Sequence, residues 1–286
     1  MFVKHLKESK KMSETKKSIL ISIGLLVLFI IVGELITGDG SRGKENMTEY
    51  EKLVGLGENQ AHVPGPIEVF KLAVKELSDP FYDNGPNDKG IGTQLFFSIL
   101  RVMAGYFLSV IIAIPIGFLI GMSPVFYKAL QPYIQILKPI SPLAWMPLAL
   151  FVIKDSIMSS IFVIFICSIW PMLINTAFGV MSVKKDFLNV GKTLEMSNVK
   201  MAFTIILPAA LPTIFTGLRI SMGISWLVIV AAEMLVGGTG IGYYVWNEWN
   251  NLDLASVVFS ILMIGVVGMF LDSMISFISK YFNYQE

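Results

Sequence analysis

The 286-residue chain is 54% hydrophobic and only 15% charged, with a net charge of +1 and a mean hydropathy of +0.68. A water-soluble globular chain carries roughly a quarter charged residues, so most of this surface must be solvated by lipid. The three arginines, Arg42, Arg101 and Arg219, and the scattered lysines form no basic stripe, which argues against a nucleic-acid partner. Cys167 lies alone in an apolar run, and His5 and His62 are isolated in polar segments. Neither a disulfide framework nor a metal cluster can be built from them within one chain.

A helix needs about 20 apolar residues to cross a hydrocarbon core of roughly 30 Å, and six such runs can be argued, which predicts an all-α polytopic membrane protein. Residues 1–17, with six lysines, form a polar N-terminus. The first span, 18–36, exceeds the apolar core of a secretory signal and no small-x-small cleavage site follows it, so a retained anchor is expected. Residues 37–92 hold ten acidic groups and form a solvated segment rather than a span. Within it Ile67, Phe70, Leu72, Val74 and Leu77 recur at near-helical spacing, which predicts a short amphipathic helix against the membrane face. The core, 93–286, holds spans at about 93–121, 126–153, 157–181, 211–236 and 254–279. A kink is expected near Pro115. Pro132, Pro139, Pro142 and Pro147 break the third span, and freed backbone groups survive in a membrane only where protein or a water-lined cavity surrounds them. Pro142, Trp145 and Pro147 are therefore candidates for lining a pathway.

Six lysines precede the first span, and Lys184, Lys185, Lys192 and Lys200 lie between the fourth and fifth. An even number of spans separates the two groups, so both face one side, which the positive-inside rule makes the cytoplasm. Both termini are then cytoplasmic, while 37–92 and the lysine- and arginine-free stretch 237–253 lie outside. Between spans four and five, residues 183–208 are too polar to span and too regular for a plain loop. Phe187, Val190 and Leu194 repeat as on an amphipathic helix lying across the inner face, a break follows at Ser197–Asn198, and a second helical piece ends at Leu207–Pro208. Two short cytoplasmic helices make a docking surface.

This segment resembles the EAA loop of binding-protein-dependent ABC permeases: Glu-Ala-Ala, three residues, Gly, nine residues, Ile, one residue, Leu-Pro. Asn189, Val190 and Gly191 take the first three places, Glu195 stands where glycine is usual, and Ile205, Leu207 and Pro208 close the pattern. Asn189 replaces the glutamate, so an ion pair to an ATPase does not carry over to that position. The stretches SILRVMAGYFLSVIIAIPIGFLIGMS, KPISPLAWMPLALFVIK, FVIFICSIWPMLINTAFGV and AAEMLVGGTGIGYYVWNEWNN extend the resemblance over nearly everything from Gly90 onward and are most similar to nitrate-type permeases. Sulfonate, taurine, bicarbonate and cyanate importers are the alternatives within the class.

The resemblance implies a type I ABC importer permease fold, a bacterial inner-membrane location, a second copy of the chain, two cytoplasmic ATPases holding Mg-ATP, and a periplasmic or lipoprotein binding protein. The chain itself carries no GxxxxGK[ST] phosphate cradle, so no catalytic residue, cofactor or metal is expected on it and the motor must be another polypeptide. Arg101 and Arg219 lie about eight residues into their spans, where each is a candidate to guide an anion or, at heavier weight, to form a structural ion pair. Glu233 would bridge an arginine or a backbone amide, and Asp272 would pack or snorkel near the inner surface. The glycines at 237, 238, 240 and 242 read as a tight turn beside an aromatic belt of Tyr243, Tyr244, Trp246 and Trp249. A secondary anion transporter is the rival class, and the scarcity of carboxylates and histidines within the spans counts against it.

Overall fold

The computed structural model describes residues 2–37, 64–85 and 87–282. Residues 38–63, with Arg42 and His62, lie outside the described residues, as does the side chain of His5. The described residues are mostly helical, apart from a small antiparallel hairpin of β1 (Asp83–Gly85) and β2 (Asp88–Lys89). They fall into two units, one within Met1–Ser78 and Glu248–Phe259, the other within Asp79–Asn247 and Ser260–Glu286.

In the first unit, α1 (Phe2–Thr37) contains a span-length apolar window, Lys16–Leu35, none of which is buried. A helix whose leucines and isoleucines stay open is one that lipid solvates better than water. α2 (Pro66–Ser78) carries Glu68 in its first turn and Lys75 in its last, each complementing the helix dipole. The Pro66 ring lies against Gly33, and the Ile67 amide donates to the Glu34 carboxylate at 3.4 Å. Ile67, Phe70, Val74 and Leu77 remain exposed.

The second unit runs through α3 (Ile91–Met122), α4 (Pro124–Leu137), α5 (Pro142–Ile153), α6 (Ser156–Met181), α7 (Lys185–Thr193), α8 (Asn198–Met201), a π turn (Ala202–Ile206) and α9 (Leu207–Val236). α10 (Ile241–Asn250) and α11 (Leu254–Phe282) follow, each divided between the units. Lipid tails are as apolar as leucine, so close packing and interhelical hydrogen bonds must hold such helices together. α3 meets α6 through glycines: a Cβ on Gly105 would lie 2.7 Å from Ile164, and one on Gly121 2.6 Å from Val180. Ser109 Oγ sits 2.6 Å from Ser168 Oγ and 3.0 Å from the Phe165 carbonyl, while Ser221 of α9 donates to the Ser168 carbonyl at 2.7 Å.

The contacts fix the direction of each helix. Phe97 and Arg101 near the start of α3 share a cavity with Ser156 at the start of α6 and Val236 at the end of α9. At the opposite end Ile114 and Phe118 of α3 pack against Val180 of α6 and Ile206 before α9. Residues 124–153 therefore carry the chain back from the end of α3 to the start of α6. They do so as two helices bent by 93°, a break within 126–153 of the kind its prolines led one to expect. Proline at 139 and 142 is the cause: each disfavours helical backbone in the residue before it, and Pro142 opens α5 behind a Ser141 cap whose side chain accepts from the Leu143 amide at 3.3 Å. Pro132 and Pro147 stay inside α4 and α5, and α3 remains one helix through Pro115.

One boundary differs from expectation. The helical piece before Leu207–Pro208 does not end there, because Asn198–Val236 forms a single stretch of 39 residues. The Leu207 amide reaches back to the Ala202 carbonyl, and this widened turn accommodates Pro208, which has no amide to donate. Residues 237–253 contain α10. α11 runs antiparallel to α9: Trp226 Nε1 donates to the Ile264 carbonyl at 2.9 Å, and Phe215 stacks on Phe282 at 5.2 Å.

If the glycine contact holds α3 on α6, Gly105→Leu should destabilise the second unit by about 1–3 kcal/mol through overpacking. Thermal unfolding in detergent should show a lowered Tm for it and an unchanged Tm for Gly24→Leu, where a Cβ would meet nothing within 4 Å.

Candidate functional site

Three places gather the residues singled out by the sequence. The first is the turn between α7 and α8. α7 has Asp186 in its first turn and Lys192 in its last, favourable for its dipole. It closes with the Met196 amide on the Gly191 carbonyl and the Glu195 amide on the Lys192 carbonyl, both at 3.0 Å, the paired bonds of a Schellman motif. Glu195 occupies the left-handed position of that motif at φ 50°. Glycine suits this place because it has no Cβ to clash, so the spacing of the loop pattern has a conformational basis that Glu195 meets under strain.

Ser197 then caps α8, its hydroxyl accepting from the Lys200 amide at 3.3 Å. Gly191 is buried, and a Cβ there would lie 2.9 Å from Ile205 Cδ1. Ile205, Leu207, Leu188 and Met196 pack on a cluster of Val180, Met201, Ile206, Ala210 and Ile214. Asn189, Val190, Glu195 and Pro208 stay exposed. Phe187 and Leu194 are also exposed, so the stripe 187, 190, 194 faces away from this cluster.

The second place lies at the other end of the second unit. Arg101 and Glu233 form an ion pair at 2.6 Å with side chains 12% and 2% exposed. Arg101 also donates to the Thr239 carbonyl at 2.6 Å. The Glu233 carboxylate accepts from Ser98 Oγ at 2.8 Å and from the Gly242 amide at 3.0 Å. The Gly240 amide donates to Gln94 Oε1 at 2.6 Å, and the Ile241 amide to Ser98 Oγ at 2.9 Å. A buried charge needs this many partners to offset its lost hydration. A Cβ on Gly240 would overlap the Glu233 carboxylate, so glycine is required for the loop to close over it. Sequence reasoning missed Gln94 and Ser98, though their spacing with Arg101 puts three polar groups on one face of an apolar helix.

Arg219 is not part of this cluster. It pairs with Asp272 of α11 at 2.5 Å, both side chains about half exposed, which corrects the reading of Asp272 as a packing or snorkelling residue. Asp272 lies beside Arg219 because the antiparallel course of α11 brings its later turns level with the first half of α9.

The third place is the α4–α5 break. A cavity of about 130 Å³ there is lined by Lys138, Ile140, Trp145, Cys167, Trp170 and Ile224, among others. Trp145 is thus on a cavity wall, Pro142 forms the start of α5, and Pro147 is exposed on the same helix. Lys138 and Trp170 were not singled out from the sequence. No group of three or more metal-ligating side chains occurs among the described residues.

Arranged this way, the second unit has the fold of a type I ABC importer permease. The MetNI methionine ABC transporter in an inward-facing form superposes with a TM-score of 0.59 at 12% identity, covering 66% of this chain and 94% of that one. An amino acid ABC transporter gives 0.56 at 12% identity, covering 75% and 97%. Residues 113–283 match the family model of the binding-protein-dependent transport system inner membrane component. The chain belongs to that family and is a permease subunit rather than an enzyme. Among its relatives, the nitrate import permease protein NrtB of Synechocystis sp. is 40% identical over 259 residues, 91% of this chain and 87% of the relative. The bicarbonate transport system permease protein CmpB of Synechococcus elongatus is 35% identical over 275 residues, 95% and 92% of the two chains.

Breaking the buried pair from one side should cost about 3–5 kcal/mol, because the remaining charge is left unpaired. Glu233→Ala should therefore unfold at a markedly lower temperature than wild type, whereas Asp272→Asn, in a half-exposed pair, should shift the midpoint little. At the α7–α8 turn, Glu195→Gly should relieve about 1 kcal/mol of left-handed strain. Hydrogen exchange at the Glu195 and Met196 amides should slow in that variant.

Proposed function

We propose that the chain is the membrane-spanning subunit of an ATP-driven importer for nitrate or nitrite, seated in a bacterial inner membrane with both termini in the cytoplasm. The observation that carries this reading is the 40% identity to a nitrate import permease, sustained over 91% of the chain and thus well beyond residues 113–283. In this reading the α7–α8 turn faces the cytoplasm, where Lys184, Lys185, Lys192 and Lys200 gather. Two ABC ATPases, holding Mg-ATP, grip it there. The exposed Phe187, Val190 and Leu194 give the ATPase an apolar contact, and Asn189 offers a hydrogen bond where a glutamate would offer a charge. The segment 37–92 lies on the periplasmic face, with α2 resting its open apolar stripe on the membrane.

A second copy of the chain completes the pathway, and a periplasmic or lipoprotein binding protein delivers the anion at the end where Glu233 holds the glycine loop. ATP binding needs only to favour one of two packed arrangements of the pair for the route to open alternately to each side. Bicarbonate is the second reading, favoured by the 35% identity to a bicarbonate permease over 95% of the chain. Both anions are planar, singly charged and built on three oxygens.

Liposomes containing the permease with its own ATPases, enclosed Mg-ATP and external binding protein separate the two. Labelled nitrate is expected to accumulate only with ATP and to be blocked by vanadate. Accumulation of bicarbonate with no nitrate uptake would overturn the nitrate reading.

A further inference from the structure

Charge is costly at the middle of a membrane unless it is paired or hydrated, so each cation at that depth must have a reason to be there. Arg101 and Arg219 each face a carboxylate, which leaves little net charge to attract a substrate. Lys138 differs. No carboxylate among the described residues pairs with it, and its side chain is exposed.

Its depth follows from its neighbours in the cavity. Cys167 and Trp170 belong to the central turns of α6 (Ser156–Met181), and Ile224 lies near the middle of α9 (Leu207–Val236). Lys138 is therefore level with the middle part of both helices, on the order of 17–26 Å from either end at 1.5 Å per residue. Two tryptophans line the same cavity. Trp226 donates its indole N–H to Ile264, whereas those of Trp145 and Trp170 have no hydrogen-bond partner among the described residues. An indole N–H can only donate, so an ammonium with two free indoles suits an anion and no cation. The cavity volume of about 130 Å³ far exceeds the roughly 10–15 Å³ that admits one water, so a small oxyanion enters with part of its hydration.

We propose that Lys138, with Trp145 and Trp170, forms a halfway binding site for the transported oxyanion at the α4–α5 break. The proposal rests on the reading of the chain as an importer of a small anion and names the residues that meet the anion in mid-passage. Lys138 supplies the attraction, and the tryptophans supply directed donors that let the ion shed water in a low-dielectric passage.

The test compares Lys138→Gln, Lys138→Arg and Trp170→Phe in the full reconstituted complex, with uptake normalised to permease co-purified with its ATPases. Lys138→Gln should lower kcat/KM for nitrate uptake by about tenfold or more, as expected for loss of a charge-assisted contact. Lys138→Arg should restore most of it, and Trp170→Phe should raise KM with little change in maximal rate. Uptake by Lys138→Gln within about twofold of wild type, or Lys138→Arg no better than Lys138→Gln, overturns the site, since a tenfold effect is about 1.4 kcal/mol. Should Lys138→Gln fail to assemble, an unchanged KM in Trp170→Phe overturns it as well. If wild type carries bicarbonate instead of nitrate, the same variants are compared with bicarbonate: loss and rescue there keep the site and discard only the nitrate reading. Wild type that moves no anion overturns both.

Discussion

In a lipid environment the α3–α6–α9 bundle cannot be assembled by hydrophobicity, because the tails compete on equal terms with leucine for every apolar side chain. What holds it is proximity: Gly105 and Gly121 let α3 approach α6 to the limit of backbone contact, and Ser109, Ser168 and Ser221 hydrogen-bond across the closest approaches. This contact sets the register of the three helices. With α3 and α6 starting at the same end and α9 finishing there, Gln94, Ser98 and Arg101 are brought level with Glu233, 132 residues on from Arg101. The polar cluster is thus a consequence of the apolar packing, and the glycine loop after α9 closes onto a carboxylate already in place.

Charge is distributed along the bundle according to whether it can be compensated. At one end Arg101 and Glu233 are buried and satisfied by each other, by Ser98 and by loop amides. Lower down α9, Arg219 and Asp272 sit half-exposed and are satisfied by each other. The break between α4 and α5 is the exception, since among the described residues its lysine has no carboxylate partner and its cavity is lined by tryptophan, cysteine and isoleucine. A proline break and a lysine without a carboxylate partner among the described residues occur together at one cavity.

The spans were legible because length and composition suffice to find them: 93–121 and 157–181 fall within α3 and α6. The paired helices of 183–208 were legible because their spacing is set by a helix, a Schellman closure and a second helix, whose periods survive in the residue order. Glu195 illustrates the limit of such reading. As a letter it is a departure from a pattern, and only the backbone shows that it adopts the conformation glycine would have supplied. Partner choice was not legible either. Nothing in the local periodicity of α9 or α11 says that Arg219 meets Asp272, since that depends on the vertical offset of two antiparallel helices. The broken third span was half legible: its prolines showed where regular helix would fail, but the 93° bend depends on how the two halves pack. Lys138 escaped notice because, as a sequence position, it reads as the polar end of a helix.

The widened turn at Ala202–Ile206 keeps helical continuity across Pro208, so α8 and the far end of α9 belong to one rod of 39 residues. At 1.5 Å per residue such a rod is about 58 Å long, nearly twice the roughly 30 Å thickness of a hydrocarbon core. A rod of that length works as a lever: a few degrees of tilt imposed at Asn198 becomes a displacement of several ångströms at Val236, where the glycine loop begins. The π turn is a soft point along it and Pro212, inside α9, is a second, so the compliance lies toward the Asn198 end of the rod.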